Sequence, residues 1–150
     1  MKNLLPNKLS DCIDVALKDL DAAKKLGFEV DMNSWYQRKG KTCTVCLAGA
    51  VMAREFDLDN YEESEPVTLF LIDKLISSHD CQRLYALNQV REGNVVEALD
   101  RLDIEAFDRL DIKAKLDLYR FPMAGLGAKD TKEWRKDMLS IRDYLREQGL

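Results

Sequence analysis

The sequence predicts an all-α or mostly α protein. The expected form is a single-domain bundle (residues 1–150) of about six or seven short helices around a buried helix of small residues (44–56), with at most one short β element. Three observations lead there. Apolar residues recur at helical spacing in segment after segment. No residue from Val45 to Ala53 is charged. At 150 residues, 46% hydrophobic and 33% charged, the chain can close one core and still cover it with solvated helix faces.

The first helix follows Pro6, with Asn7 as its cap. Leu9, Ile13, Ala16, Leu17 and Leu20 form its apolar face, Lys24 and Lys25 suit its last turn, and Gly27 suits its stop. Residues 28–32 alternate apolar and polar, as a short strand or an extended connector does. Residues 33–42 read as a polar, basic loop. Thr42 or Thr44 is expected to cap the central helix. There Cys46, Gly49, Ala50 and Ala53 make one face entirely small, which lets a neighbouring backbone approach closely. An intrachain helix is its simplest partner, and a homodimer is the other.

Residues 55–65 hold six acids and no base, and read as a solvated connector. Pro66 suits the first turn of a helix carrying Leu69, Phe70, Ile72, Leu75 and Ile76. Ser78 or Asp80 caps the next, with Cys81, Leu84, Tyr85 and Leu87 inward and Gly93 as stop. Asn94 with Glu97 has capping-pair spacing before Val95, Val96, Leu99 and Leu102. The pentapeptide DRLDI occurs twice, at 100–104 and 108–112. Solenoid repeats run about 20–50 residues, so this echo reads as a helical stutter or two short helices. Residues 118–128 are irregular. Asp130 and Glu133 have cap-pair spacing before a last helix with Trp134, Met138, Ile141 and Leu145 on one stripe.

The net charge of −4 argues against general binding to nucleic acid or to an anionic membrane. No apolar run approaches the roughly 18 residues of a membrane span. The N-terminal stretch lacks a signal-peptide core. A cytoplasmic protein is therefore expected, with Cys12, Cys43, Cys46 and Cys81 as free thiols.

The stretch with most chemical promise is Trp35 to Phe56. A CxxC pair at a helix N-terminus, preceded by Arg38, Lys39 and Lys41, is a setting that lowers thiolate pKa. A redox reading needs a preceding strand of a βαβ unit, which the pattern lacks. A zinc site would join Cys43 and Cys46 to Cys12, His79 or Cys81, without the second CxxC that such sites carry. A cysteine hydrolase would need His79 as base, because it is the only histidine. Gln37 before Cys43 is similar to the papain-type order, but the motif around that nucleophile is missing. Against all three stands the tendency of cysteine to be a small buried hydrophobe. Gly40-Lys41-Thr42 matches the tail of a phosphate-binding loop, yet Trp35 stands where that loop needs glycine. Asp57 and Asp59 fail the calcium-loop spacing, since Glu62 and Thr68 occupy its glycine and glutamate positions. No cofactor is implied.

The segment WYQRKGKTCTVCLAGAVMA (Trp35, Gly40, Cys43, Val45, Cys46, and Leu47 to Ala53) resembles a family of small uncharacterised proteins of bacteriophages and prophages. The helix from Trp134 to Leu150 is also similar. The resemblance implies a bacterial cytosol and an accessory role, with a host protein as partner. The expected function is non-catalytic protein–protein binding, with inhibition of a host factor as its effect. The contacts would run through Trp35, Tyr36, Arg38, Lys39 and Lys41, through the acidic 55–65 loop, or both. The alternative is a cysteine-dependent enzyme or zinc module using Cys43, Cys46 and His79.

Overall fold

The computed structural model describes residues 3–30, 36–39, 42–55, 77–102, 104–119 and 130–150, with main chain alone at 36–39, 42–44, 104 and 106. The protein is mostly helical, as its periodicity requires. The expected helix over 66–76 lies outside the described residues, as does the segment expected to be irregular (118–128) except for Leu118 and Tyr119, which end a helix instead.

Helix α1 spans Leu9–Lys25 and buries Leu9, Cys12, Ile13, Ala16, Leu17, Leu20 and Ala23, the expected face. Lys8 rather than Asn7 is its N-cap, and no side chain caps it. The carbonyl of Leu150 does so instead, accepting from the Ser10 amide at 3.3 Å and the Ser10 hydroxyl at 2.8 Å. An orphan amide of the first turn thus finds its partner about as far along the chain as one exists. Gly27 ends the helix at φ +93°, where a Cβ would be strained.

Strand β1 is Glu29–Val30, β2 is Tyr36–Lys39 and β3 is Thr42–Val45. Their order is β1-β3-β2, with β1 parallel and β2 antiparallel to β3. This corrects two expectations. One short β element becomes three, and Thr42 and Thr44 belong to a strand and cap no helix. The reason is legible afterwards. Threonine and valine fit a pleated surface, and Lys39 pairs in register with Thr42.

Helix α2 is therefore shorter than expected, Leu47–Glu55. Its residues from Leu47 to Met52 are all buried. Ala53 is partly exposed, so the small face is sealed over Cys46, Gly49 and Ala50. Helix α1, itself carrying Ala16 and Ala23, packs along α2. Small residues on both helices permit that approach, and an intrachain neighbour meets the small face.

Helix α3 is Ser78–Arg91, capped by the Ser77 hydroxyl, which accepts from the Asp80 amide. Gly93 stops it at φ +83°. Helix α4 is Val95–Leu102. The Asn94 side chain turns away from the expected capping pair and donates to Gln89 at 3.3 Å, while Glu97 pairs with Arg101. Helices α5 (Ile104–Asp108) and α6 (Ile112–Tyr119) follow. The DRLDI echo falls on both joints, between α4 and α5 and between α5 and α6. At the second joint the Asp111 carboxylate caps α6 by accepting from the Ala114 amide at 2.7 Å.

Helix α7 is Lys132–Glu147, capped by Thr131 rather than Asp130, with Trp134, Met138, Ile141 and Leu145 buried as expected. It packs on α1 and is tied to it by charge. Arg135 meets Asp21 at 2.7 Å, Arg142 meets Asp14 at 2.7 Å, and Arg146 meets Asp14 at 2.7 Å and Asp11 at 3.1 Å. Acids on α1 face bases on α7 in reversed order, so the helices are antiparallel. No helix among the described residues is long and apolar enough to cross a membrane.

Candidate functional site

The CxxC pair is split between two elements. Cys43 lies in β3, paired in register with Arg38. Cys46 is the residue between β3 and α2. Its carbonyl accepts from the Ala50 amide at 2.9 Å, and its sulfur accepts from the Gly49 amide at 3.5 Å. Cys46 thus acts as a sulfur N-cap, deep in the core at 0% exposure. Burial pushes its thiol pKa up, and it prevails over the nearby Arg91 guanidinium and the helix amides, which pull the other way.

Arg91 is itself only 5% exposed. Its Nε donates to the Asn88 carbonyl at 3.3 Å and its Nη2 to Glu92 at 3.4 Å. A buried cation and a helix N-terminus beside a cysteine is an arrangement that can stabilise a thiolate. Here desolvation outweighs it, and the thiol stays protonated.

Cys12 donates to the Pro6 carbonyl at 3.2 Å, and burial lifts its pKa to about 12. Cys12, Cys46 and Cys81 form no disulfide. His79, the only base available to a nucleophilic cysteine, is spoken for. Its Nε2 lies 2.9 Å from the Leu5 carbonyl, which can only accept, so Nε2 carries the proton. No group of three or more metal-ligating side chains gathers among the described residues. Cys12, Cys46 and His79 take up separate structural tasks, and among the described residues no metal-ligating cluster is assembled.

His79 belongs to a clasp. The N-terminal arm, residues 3–7, is gripped by the first turns of α3. Asp80, 2% exposed, accepts from the Leu4 amide at 2.8 Å and the Leu5 amide at 3.1 Å. Arg83 donates to the Pro6 carbonyl at 2.8 Å, the Asn7 carbonyl at 3.0 Å and the His79 carbonyl at 3.0 Å. From the other side, Arg54 of α2 donates to the Leu4 carbonyl at 2.5 Å and pairs with Asp19 at 3.4 Å. Asp19 is nearly buried on α1, and desolvation raises its carboxyl to about 6, against the pull of Arg54 and with a push from Glu55.

Of the expected binding residues, Tyr36, Arg38 and Lys39 form β2, at the edge of the sheet. Trp35 and Lys41, and the acidic 55–65 loop beyond Glu55, lie outside the described residues. The basic stretch expected as a loop is thus, in its described part, an edge strand.

One feature escaped sequence reasoning altogether. A cavity of about 740 Å³ opens where the N-terminus of α1, the α4–α6 joints and residues 148–150 meet. Leu102 and Leu110, at equivalent places in the two DRLDI copies, both line it. That echo was the available signal, because a repeated apolar position at two successive helix joints aims two side chains into one corner.

No known protein family, curated protein or solved structure matches the chain.

Proposed function

We propose that this chain is a non-catalytic binding protein, and that the edge of β2 receives an extended acidic segment of its partner. The observation that carries this reading is the sheet order. With β3 in the middle, β2 meets a strand on one side only among the described residues. Alternate residues of such a strand turn their amide and carbonyl outward, which is the template for β-strand addition by a peptide.

Charge selects the occupant. Residues 36–41 read YQRKGK, with Arg38, Lys39 and Lys41 and no acid, in a chain of net charge −4. A local basic edge on an acidic protein favours an acidic partner in encounter and register. The same cations oppose pairing of two copies edge to edge, so the partner is a different protein. Two of the four thiols support the non-catalytic half of the reading. A nucleophilic cysteine needs a lowered pKa, whereas burial raises that of both Cys12 and Cys46. The resemblance to phage and prophage proteins supplies the setting: a bacterial cytoplasm, with a host protein occupied and thereby inhibited.

The test is a pull-down from bacterial lysate with the wild type and an Arg38→Glu/Lys39→Glu variant. One stoichiometric partner, retained by the wild type and lost by the charge-reversed protein, is expected. Recovery of no partner, or equal recovery by both, defeats the proposal.

A further inference from the structure

The cavity at the α4–α6 joints has an unusual balance. Its apolar lining comes from Leu9, Leu99, Leu102 and Leu110. Lys8, Arg83 and Arg109 supply three cations. None of the three has an ion pair with a carboxylate among the described residues. Arg83 spends Nε, Nη1 and Nη2 hydrogens on the carbonyls of Pro6, Asn7 and His79. Those partners fix the guanidinium without cancelling its charge, and two of its five N–H groups remain. Arg109 gives its Nε to the Glu105 carbonyl, again a neutral acceptor. The one acidic side chain of the lining, Asp111, is turned to the α6 amide that it caps.

From this geometry we infer a second, small-molecule site: the cavity takes a carboxylate that bears an apolar tail. The carboxylate meets Lys8 and Arg109 with the held Arg83 behind them, and the tail lies on the half-buried Leu102 and Leu110. The volume of about 740 Å³ falls in the range of about 300–1,000 Å³ typical of ligand clefts. Leu9 and Leu99 are each only 2% exposed, so the floor is set by the packed core. A neutral apolar ligand would offer Lys8 and Arg109 no counter-charge, and a bare anion such as acetate would leave the accessible parts of Leu102 and Leu110 wet. An amphipathic carboxylate satisfies both at once. The site is independent of the β2 edge.

The probes are octanoate, octanol and acetate, titrated into the folded protein by calorimetry and by amide chemical-shift mapping. Octanoate should bind with shifts confined to residues 99–111 and 148–150 and their neighbours in α1. Octanol and acetate should each bind at least about tenfold more weakly, the difference of one charge-assisted contact or one buried tail. A Lys8→Gln/Arg109→Gln variant changes two exposed side chains and leaves the Arg83 clasp in place. Its octanoate affinity should fall by about tenfold or more at an unchanged melting temperature. Leu102→Ser provides a second handle, lowering octanoate affinity without changing that of acetate. No octanoate binding at millimolar concentration, shifts elsewhere on the protein, or equal binding of octanol each overturns the inference. So does an unaltered affinity in the double-glutamine variant.

Discussion

Replacing Asp80 by alanine should cost this protein a large part of its stability. The carboxylate is 2% exposed and takes two backbone amides of the arm, Leu4 at 2.8 Å and Leu5 at 3.1 Å, besides the Ser77 hydroxyl at 3.1 Å. A hydrogen bond to a charged group contributes about 1.5–3 kcal/mol. Leu4 is half-buried and can rehydrate, whereas the Leu5 amide, in a residue 3% exposed, cannot without releasing its side chain from the core. The combined loss is about 3–4 kcal/mol. At about 2–4 °C per kcal/mol for a domain of this size, the melting temperature falls by about 10 °C. Asp80→Asn sharpens the argument. Its amide oxygen can serve one arm N–H, but its NH2 must face the other, so the fall should be intermediate. Thermal unfolding by circular dichroism measures both variants, and amide hydrogen exchange at Leu5 reports the arm directly. A drop below about 2 °C for the alanine variant, or an asparagine variant as damaging as alanine, would refute the clasp as an anchor.

Three further outcomes follow from the same contacts. Asp19 has its carboxyl raised from 3.8 to about 6, so the folded state holds a proton that the unfolded state releases first. Its contribution to stability therefore falls as pH rises from about 4 to about 6, by on the order of 2 kcal/mol. Urea unfolding of Asp19→Asn should show its advantage over the wild type growing across that window; a constant difference counts against the account. Cys12 and Cys46 should resist iodoacetamide at pH 8 in the native protein and react once unfolded, as read by mass spectrometry of labelled peptides. Rapid native labelling of either would contradict their burial. Arg135→Met should destabilise by about 2 kcal/mol at neutral pH, because Asp130, 5% exposed at its side chain, loses its 2.6 Å partner. Burial alone would raise Asp130, but hydrogen bonds from Arg135 and Lys24 hold it below the usual range. That stabilisation is present above the unfolded carboxyl pKa and disappears on acidification. The variant and wild type should therefore converge toward about pH 2 in an acid-unfolding series.

The helices were legible in the sequence where their apolar stripes were long. The faces of α1 and α7, the stops at Gly27 and Gly93, and the interior position of Trp134 all follow from 3.6-residue spacing. The strands were hidden by brevity. Glu29–Val30 has no period to read, and Thr42–Val45 runs directly into an apolar helix, so the join looked helical throughout. Gly40-Lys41 is a hairpin-type pair, but beside Thr42 it reads as the tail of a phosphate loop, and the runs flanking it are too short to show strand alternation. Caps shifted by one residue at α1, α3 and α7, because local spacing cannot weigh tertiary acceptors such as the Leu150 carbonyl. The state of the cysteines was not legible for a related reason. Spacing places Cys43 and Cys46 together at a helix start, but whether a thiol there is reactive depends on desolvation, a property of the whole core. Partly legible and unread was the charge match of Asp11, Asp14 and Asp21 on one helix to Arg135, Arg142 and Arg146 on another.

That last match bears on how the chain reaches its fold. Helix α1 is made well before α7 during synthesis, yet its cap and its ionic seam come from residues 135–150. Until that segment leaves the ribosome, the acids of α1 remain unpaired and part of its apolar face has no cover. Contacts across more than a hundred residues close the largest loop in the chain, at an entropic cost that local helix formation does not meet. The order of assembly is thus written into the pairing: the intermediate helices can associate as they emerge, and the bundle locks only when the last helix returns to the first.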